Sequence, residues 1–119
     1  MKLSITVDGN TDTFTVPDNM MVEARDFFEK LDSDMDKGWQ MSREWVQNPT
    51  ADQRCQIAAD KILSAIETDN DKLLMLMVAY ILYKKPGITG VHIATNGDMT
   101  ETVLICEPEA DKPLGPIFN

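Results

Sequence analysis

The chain opens on a two-residue alternation. Leu3, Ile5 and Val7 take every second position with Lys2, Ser4 and Thr6 between them, the period of a half-buried strand. Asp8-Gly9-Asn10 tolerates positive φ, and Phe14 and Val16 then resume the pattern. A turn at Gly9-Asn10 is expected to set Ile5 opposite Phe14 and Leu3 opposite Val16. Pro17-Asp18 ends the strand and starts a helix, the Asp18 side chain being suited to free backbone N–H groups. Met21, Ala24, Phe27, Phe28 and Leu31 form its apolar stripe, which predicts a helix to about Leu31, with Asp26 and Lys30 as a supporting pair four residues apart. The region 32–48 is the least regular, with Gly38 inside it and Asn48-Pro49 closing it; a short helix is expected over 42–47.

Thr50 followed by Gln53 reads as a capping box. Behind it, Cys55, Ala58, Ala59, Ile62, Leu63 and Ile66 make a second helical stripe. A third helix is expected from 69–71, where Asp69, Asn70 and Asp71 suit the positive end of a helix dipole. It runs through an apolar stretch at 73–83 and stops at Lys84-Lys85-Pro86-Gly87. Being apolar nearly all round, it should be the central core helix or a dimer contact. Asn96-Gly97, flanked by 91–95 and 99–106, is a strong hairpin signal. Pairing across it would set Ala94 against Met99, Ile93 against Thr100 and His92 against Glu101. Beyond 106, Pro108, Pro113 and Pro116 prevent regular structure. The expectation is one α+β domain over 1–106, with an N-terminal β-hairpin, three main helices plus a short one and a C-terminal β-hairpin. An extended proline-containing tail is expected over 107–119.

The strand from Lys2, the Asp8-Gly9 turn, the second strand and the amphipathic helix resemble the start of a β-grasp domain, the architecture of ubiquitin and plant-type ferredoxins. The resemblance covers about a quarter of the chain and is one of fold alone. A ferredoxin would need closely spaced cysteines after that helix, where this chain has none; a ubiquitin-like modifier would end in Gly-Gly, where this chain ends Pro116-Ile117-Phe118-Asn119. On a β-grasp reading, the second and third helices are an insertion before the final hairpin.

Composition narrows the function. The 119 residues carry a formal charge of −9, and 43% are apolar, enough for a core. The acidic balance disfavours nucleic acid and anionic membrane surfaces, whose binding draws on clustered Lys and Arg. No basic start precedes an apolar opening segment, so a secretory signal is not expected. The 11-residue apolar run at 73–83 is short of the roughly 20 residues of a membrane span. Two cysteines without framework spacing fit a reduced, cytoplasmic protein. The charge is also uneven: Asp26, Glu29, Asp32, Asp34 and Asp36 face only Lys30, which puts −4 of the −9 into eleven residues.

That acidic stretch is similar to an EF-hand calcium loop. A hard cation takes six to eight oxygens, and carboxylates at alternate positions of a tight turn can converge on it. Asp32, Asp34, Asp36 and, five residues beyond Gly38, Glu44 offer such a set over 32–44. Lys37 makes the loop one residue too long and sets a cation beside the site. The plainer reading is a solvated acidic loop after a helix. His92 opposite Glu101 reads as a cross-strand charge pair, or as an acid–base pair in a small enzyme. Cys55 lies on an apolar stripe and Cys106 precedes acids, so neither resembles a nucleophile. The eight methionines are best read as core filling. Trp39 and Trp45, with Met41 between them, either anchor a protein partner or seal the core.

Without a phosphate loop, a Cys/His metal cluster or a nucleophile–base arrangement, the leading expectation is a small acidic cytoplasmic protein-interaction or regulatory domain. It has no catalytic activity and no cofactor, and it associates with itself. Trp39, Trp45 and Met41 are its candidate partner-binding residues. The alternatives are calcium binding through Asp32, Asp34, Asp36 and Glu44, and an enzyme built on His92 and Glu101.

Overall fold

The structure, a computed structural model, describes residues 1–106; the tail expected over 107–119 lies outside them. The first strand, β1 (Lys2–Val7), pairs antiparallel with β2 (Asn10–Thr15). The register is Leu3 opposite Phe14 and Ile5 opposite Asp12, two residues away from the expected one. The cause is the turn. Asp8 (φ 51°) and Gly9 (φ 82°) both adopt the left-handed region, which a tight two-residue hairpin turn needs at both central positions. A two-residue shift keeps the faces unchanged, so Leu3 and Ile5 are still buried. On the other face, hydroxyl pairs Ser4–Thr13 (3.1 Å) and Thr6–Thr11 (2.7 Å) bridge the strands.

The predicted first helix is two. It starts after Pro17 as expected, but α1 (Asp18–Glu23) ends at Ala24 and α2 (Arg25–Asp36) continues five residues beyond Leu31. Asp18 makes no capping bond, and Lys30 pairs with Asp34 at 3.8 Å, in the next helical turn. The expected short helix over 42–47 is instead a hairpin, β3 (Trp39–Met41) and β4 (Glu44–Val46). Ser42, at φ 59°, turns the chain between them. The two-residue period wins because Trp39, Met41 and Val46 pack toward the core while Gln40 and Trp45 face out.

Thr50 and Gln53 form the capping box at the head of α3 (Ala51–Glu67), each side chain bonding the other's backbone N–H. Its Cys55, Ala58, Ala59 and Ile62 are buried. Asn70 caps α4 (Asp71–Lys84), and Met77 through Leu82 are all buried within this one chain. Between α2 and α4, Phe28 stacks on Tyr83 with 4.8 Å between ring centroids and meets Tyr80 edge-on at 6.0 Å.

Two further strands complete the sheet. β5 (Ile88–Ile93) lies parallel to β1, and β6 (Val103–Cys106) lies antiparallel to β5, in the order β2-β1-β5-β6. A bulge between Ile88 and Gly90 turns Ile88 into the core out of simple alternation. The fold is thus α+β, with strands from both ends of the described chain side by side. Leu3, Ile5, Val91 and Ile93 line its inner face against the helices. Among the described residues, no helix is long and apolar enough to cross a membrane.

Candidate functional site

The acidic stretch is helix, which corrects the EF-hand-like loop. Asp32 and Asp36 lie in the last turns of α2, where the helix dipole disfavours acids. Arg54 overcomes that penalty. Its side chain, only 7% exposed, leaves the first turns of α3 and donates from every guanidinium nitrogen. Nε bonds the Pro49 carbonyl at 2.8 Å, and Nη1 bonds the Asp32 carbonyl and Oδ1, each at 3.2 Å. Nη2 bonds Asp36 Oδ1 at 2.7 Å and Asn48 Oδ1 at 2.9 Å. From α4, the Tyr80 hydroxyl donates to Asp32 Oδ1 at 2.6 Å and Lys84 Nζ donates to Oδ2 at 2.9 Å. Two acids, Asp32 and Asp36, therefore meet two bases that no local pattern brings near.

The titration directions follow from these contacts. Burial alone would raise the Asp32 carboxyl, but hydrogen bonds from Tyr80, Lys84 and Arg54 outweigh it and hold the group below its ordinary range. Tyr80 is pushed up, first by burial and then by its bond to the Asp32 carboxylate. Arg54 is held above its usual value: burial opposes the charge, and Asp36 and Asp32 more than compensate. No buried side-chain nitrogen or oxygen among the described residues lacks a partner. The network ties the end of α2, the Asn48-Pro49 turn, α3 and α4 together. Its chemistry is that of a clamp, because the Arg54 guanidinium, the Tyr80 hydroxyl and both Asp32 carboxylate oxygens are occupied by the network's own partners.

The four candidate calcium ligands are thereby separated in role. Asp32 and Asp36 serve the clamp, Asp34 pairs with Lys30, and Glu44 opens β4 on another element. Four residues apart on α2, Asp32 and Asp36 share one face and both reach Arg54, whereas Asp34, between them, lies on another face with Lys30, so the three carboxylates do not converge on one point as they would in a turn. Arg54 is the residue that sequence reasoning missed. Its one signal was position: an arginine among Cys55, Ile57 and Ala58 at the start of an apolar stripe.

The aromatic loop divides as well. Met41 is buried and belongs to the core, which removes it from any contact surface. Trp39 is half-buried beneath Lys61, whose Nζ sits 5.0 Å from the ring centroid. Trp45 is 57% exposed and donates its indole N–H to Gln47 Oε1 at 3.2 Å. Its ring lies over Gly38, which is at φ +106° and has no room for a Cβ.

His92 does not face Glu101; its partner across the ladder is Val103. Asp98 is the cause. Its Oδ1 accepts from the Thr100 backbone N–H at 3.0 Å and starts a 3₁₀ turn over Met99–Glu101, a local bond that competes with the two-residue hairpin. Glu101 then accepts from Asn96 Nδ2 at 2.8 Å. The acid–base pair is not assembled. Burial drives the Cys55 thiol up to about 12, with Asp52 adding to the effect, whereas Cys106 is exposed.

Searches against family models, curated proteins and solved structures return no match.

Among the described residues, nothing covers the sheet's outer side. The strand registers align Thr11, Thr6, His92 and Val103 in one row across it, and Thr13, Ser4, Gly90 and Ile105 in the next. The row ends at β6, which among the described residues pairs with β5 on one side only. Val103 is 54% exposed and Ile105 37%.

Proposed function

We propose that this chain is a small acidic protein-interaction or regulatory domain of the cytoplasm, without catalysis, which associates with itself through the edge of β6. The observation that carries the reading is the composition of that edge. Val103-Leu104-Ile105-Cys106 has no charge, no proline and no bulge of its own, the devices that usually keep an edge strand from pairing. At −9 overall, two copies repel one another, so contact is favoured where neither presents a carboxylate. An antiparallel β6–β6 pair meets that condition. Setting Val103 opposite Ile105 of the second copy places apolar side chains together on the outer face. The two free thiols, Cys55 and Cys106, support a reducing compartment.

Sedimentation equilibrium on the full chain tests the reading. A dimer is expected, tightening as salt screens the net charge. Ile105→Lys should return it to a monomer with an unchanged far-UV spectrum. A strict monomer at high concentration and high salt would overturn self-association.

A further inference from the structure

Near the turn of the β1–β2 hairpin the inner-face residues Val7 and Phe14 are only half-buried among the described residues. There the inner face opens into a cavity of about 260 Å³, lined by Ile5, Val7, Asp12, Phe14 and, from the last turn of α3, Ile66, with Asp8 and Asn10 at the turn. Its floor is apolar, and both Phe14 and Ile66 keep part of their surface in solvent. Its rim is anionic. Asp12 is cross-strand from Ile5 and shares the inner face with Phe14, a position that an apolar residue would take in a closed core. Asp8 Oδ1 accepts from Thr95 Oγ1 at 2.9 Å. Among the described residues, no cation pairs with Asp8 or Asp12.

Size and charge define the occupant. An apolar cavity of about 150 Å³ can hold a benzene ring, and whole small-molecule sites start near 300 Å³. The space therefore suits one long side chain. An apolar floor under two carboxylates matches an aliphatic stem with a cationic tip, as in lysine, which buries its methylenes and keeps its ammonium at the surface. The net charge of −9 adds long-range attraction for a basic segment. We propose that this cavity receives a lysine side chain from a basic partner protein, its stem on Ile5, Val7, Phe14 and Ile66 and its ammonium between Asp8 and Asp12. The site is separate from the β6 edge and does not depend on self-association.

The test is an amide chemical-shift titration of the full, isotope-labelled chain with acetyl-Gly-Lys-Gly-amide. The comparison ligands are the norleucine peptide, which keeps a four-carbon stem without the charge, and pentylammonium as a free amine. Shifts confined to the amides of Val7, Asp12, Phe14 and Ile66 are expected, with the norleucine peptide about fivefold weaker, the size of a semi-exposed charge pair. Asp12→Asn, an exposed strand position, should weaken the lysine peptide by a similar factor and leave the norleucine peptide unchanged. Equal binding of both peptides, shifts spread over the acidic surface at large, or no shift at tens of millimolar would each overturn the proposal. Tighter binding of pentylammonium than of the lysine peptide would overturn the protein source of the amine.

Discussion

Replacing Arg54 by leucine keeps most of the stem volume and removes the guanidinium. Five donor contacts disappear: to Pro49, to the Asp32 carbonyl and carboxylate, to Asp36 and to Asn48. Removing one partner of a buried ion pair costs about 3–5 kcal/mol, because the other is left uncompensated. Two features place this case at the low end. Asp36 is 61% exposed and regains water, and Asp32 keeps Tyr80 and Lys84. The carbonyl of Pro49, itself buried and bonded in a buried contact, has no such recourse. A loss of about 3 kcal/mol is expected, a large share of the roughly 5–15 kcal/mol that holds a domain together. Urea unfolding at pH 7, followed by circular dichroism and tryptophan fluorescence with m held common, measures it. The pH dependence supplies a second readout. Since Asp32 titrates below its unfolded value, the clamp's contribution is complete above about pH 4, the unfolded carboxyl value, and fades as pH falls through the lower folded one. The gap between the native chain and Arg54→Leu should therefore narrow on acidification. A loss under about 1 kcal/mol at pH 7, or a gap that does not change with pH, would refute the clamp.

Other outcomes rest on single residues. Gly38→Ala meets both a left-handed φ and the Trp45 ring, so a loss of about 1–3 kcal/mol is expected together with a shift in tryptophan emission. Unchanged stability would mean that Trp45 does not rest there. In the native protein at neutral pH, a thiol reagent such as DTNB should modify Cys106 quickly and Cys55 only on unfolding, because burial keeps Cys55 protonated. Two equally fast thiols would contradict the packing of α3.

The acidic stretch illustrates how far one-dimensional reading reaches. Its charge is plain in the sequence, and so is its similarity to an ion-binding loop. The cations that answer it, Arg54 and Lys84, stand 22 and 52 residues away from Asp32. Local propensity therefore ends the helix too early, since acids in a last turn are unfavourable until another element neutralises them. Trp39, Met41 and Val46 are legible as apolar, but only Trp39 and Met41 are two apart, and one such step is too short to oppose a helical reading until the hairpin sets Val46 opposite Trp39.

Local chemistry was enough to determine the alternation of β1, the capping box of Thr50 and Gln53, the stripe of α3, the apolar length of α4 and the α+β order of the chain. Each depends on residues within a few positions of one another. Tertiary structure alone decided the parallel pairing of β1 with β5 and the burial of Arg54. These join segments far apart in the chain. Hairpin register is different, being set by local turn chemistry that alternation does not reveal: alternation names the buried face, but slides of two residues satisfy it equally well. The choice fell to the φ values of Asp8 and Gly9 in one hairpin and to the Asp98 hydrogen bond in the other.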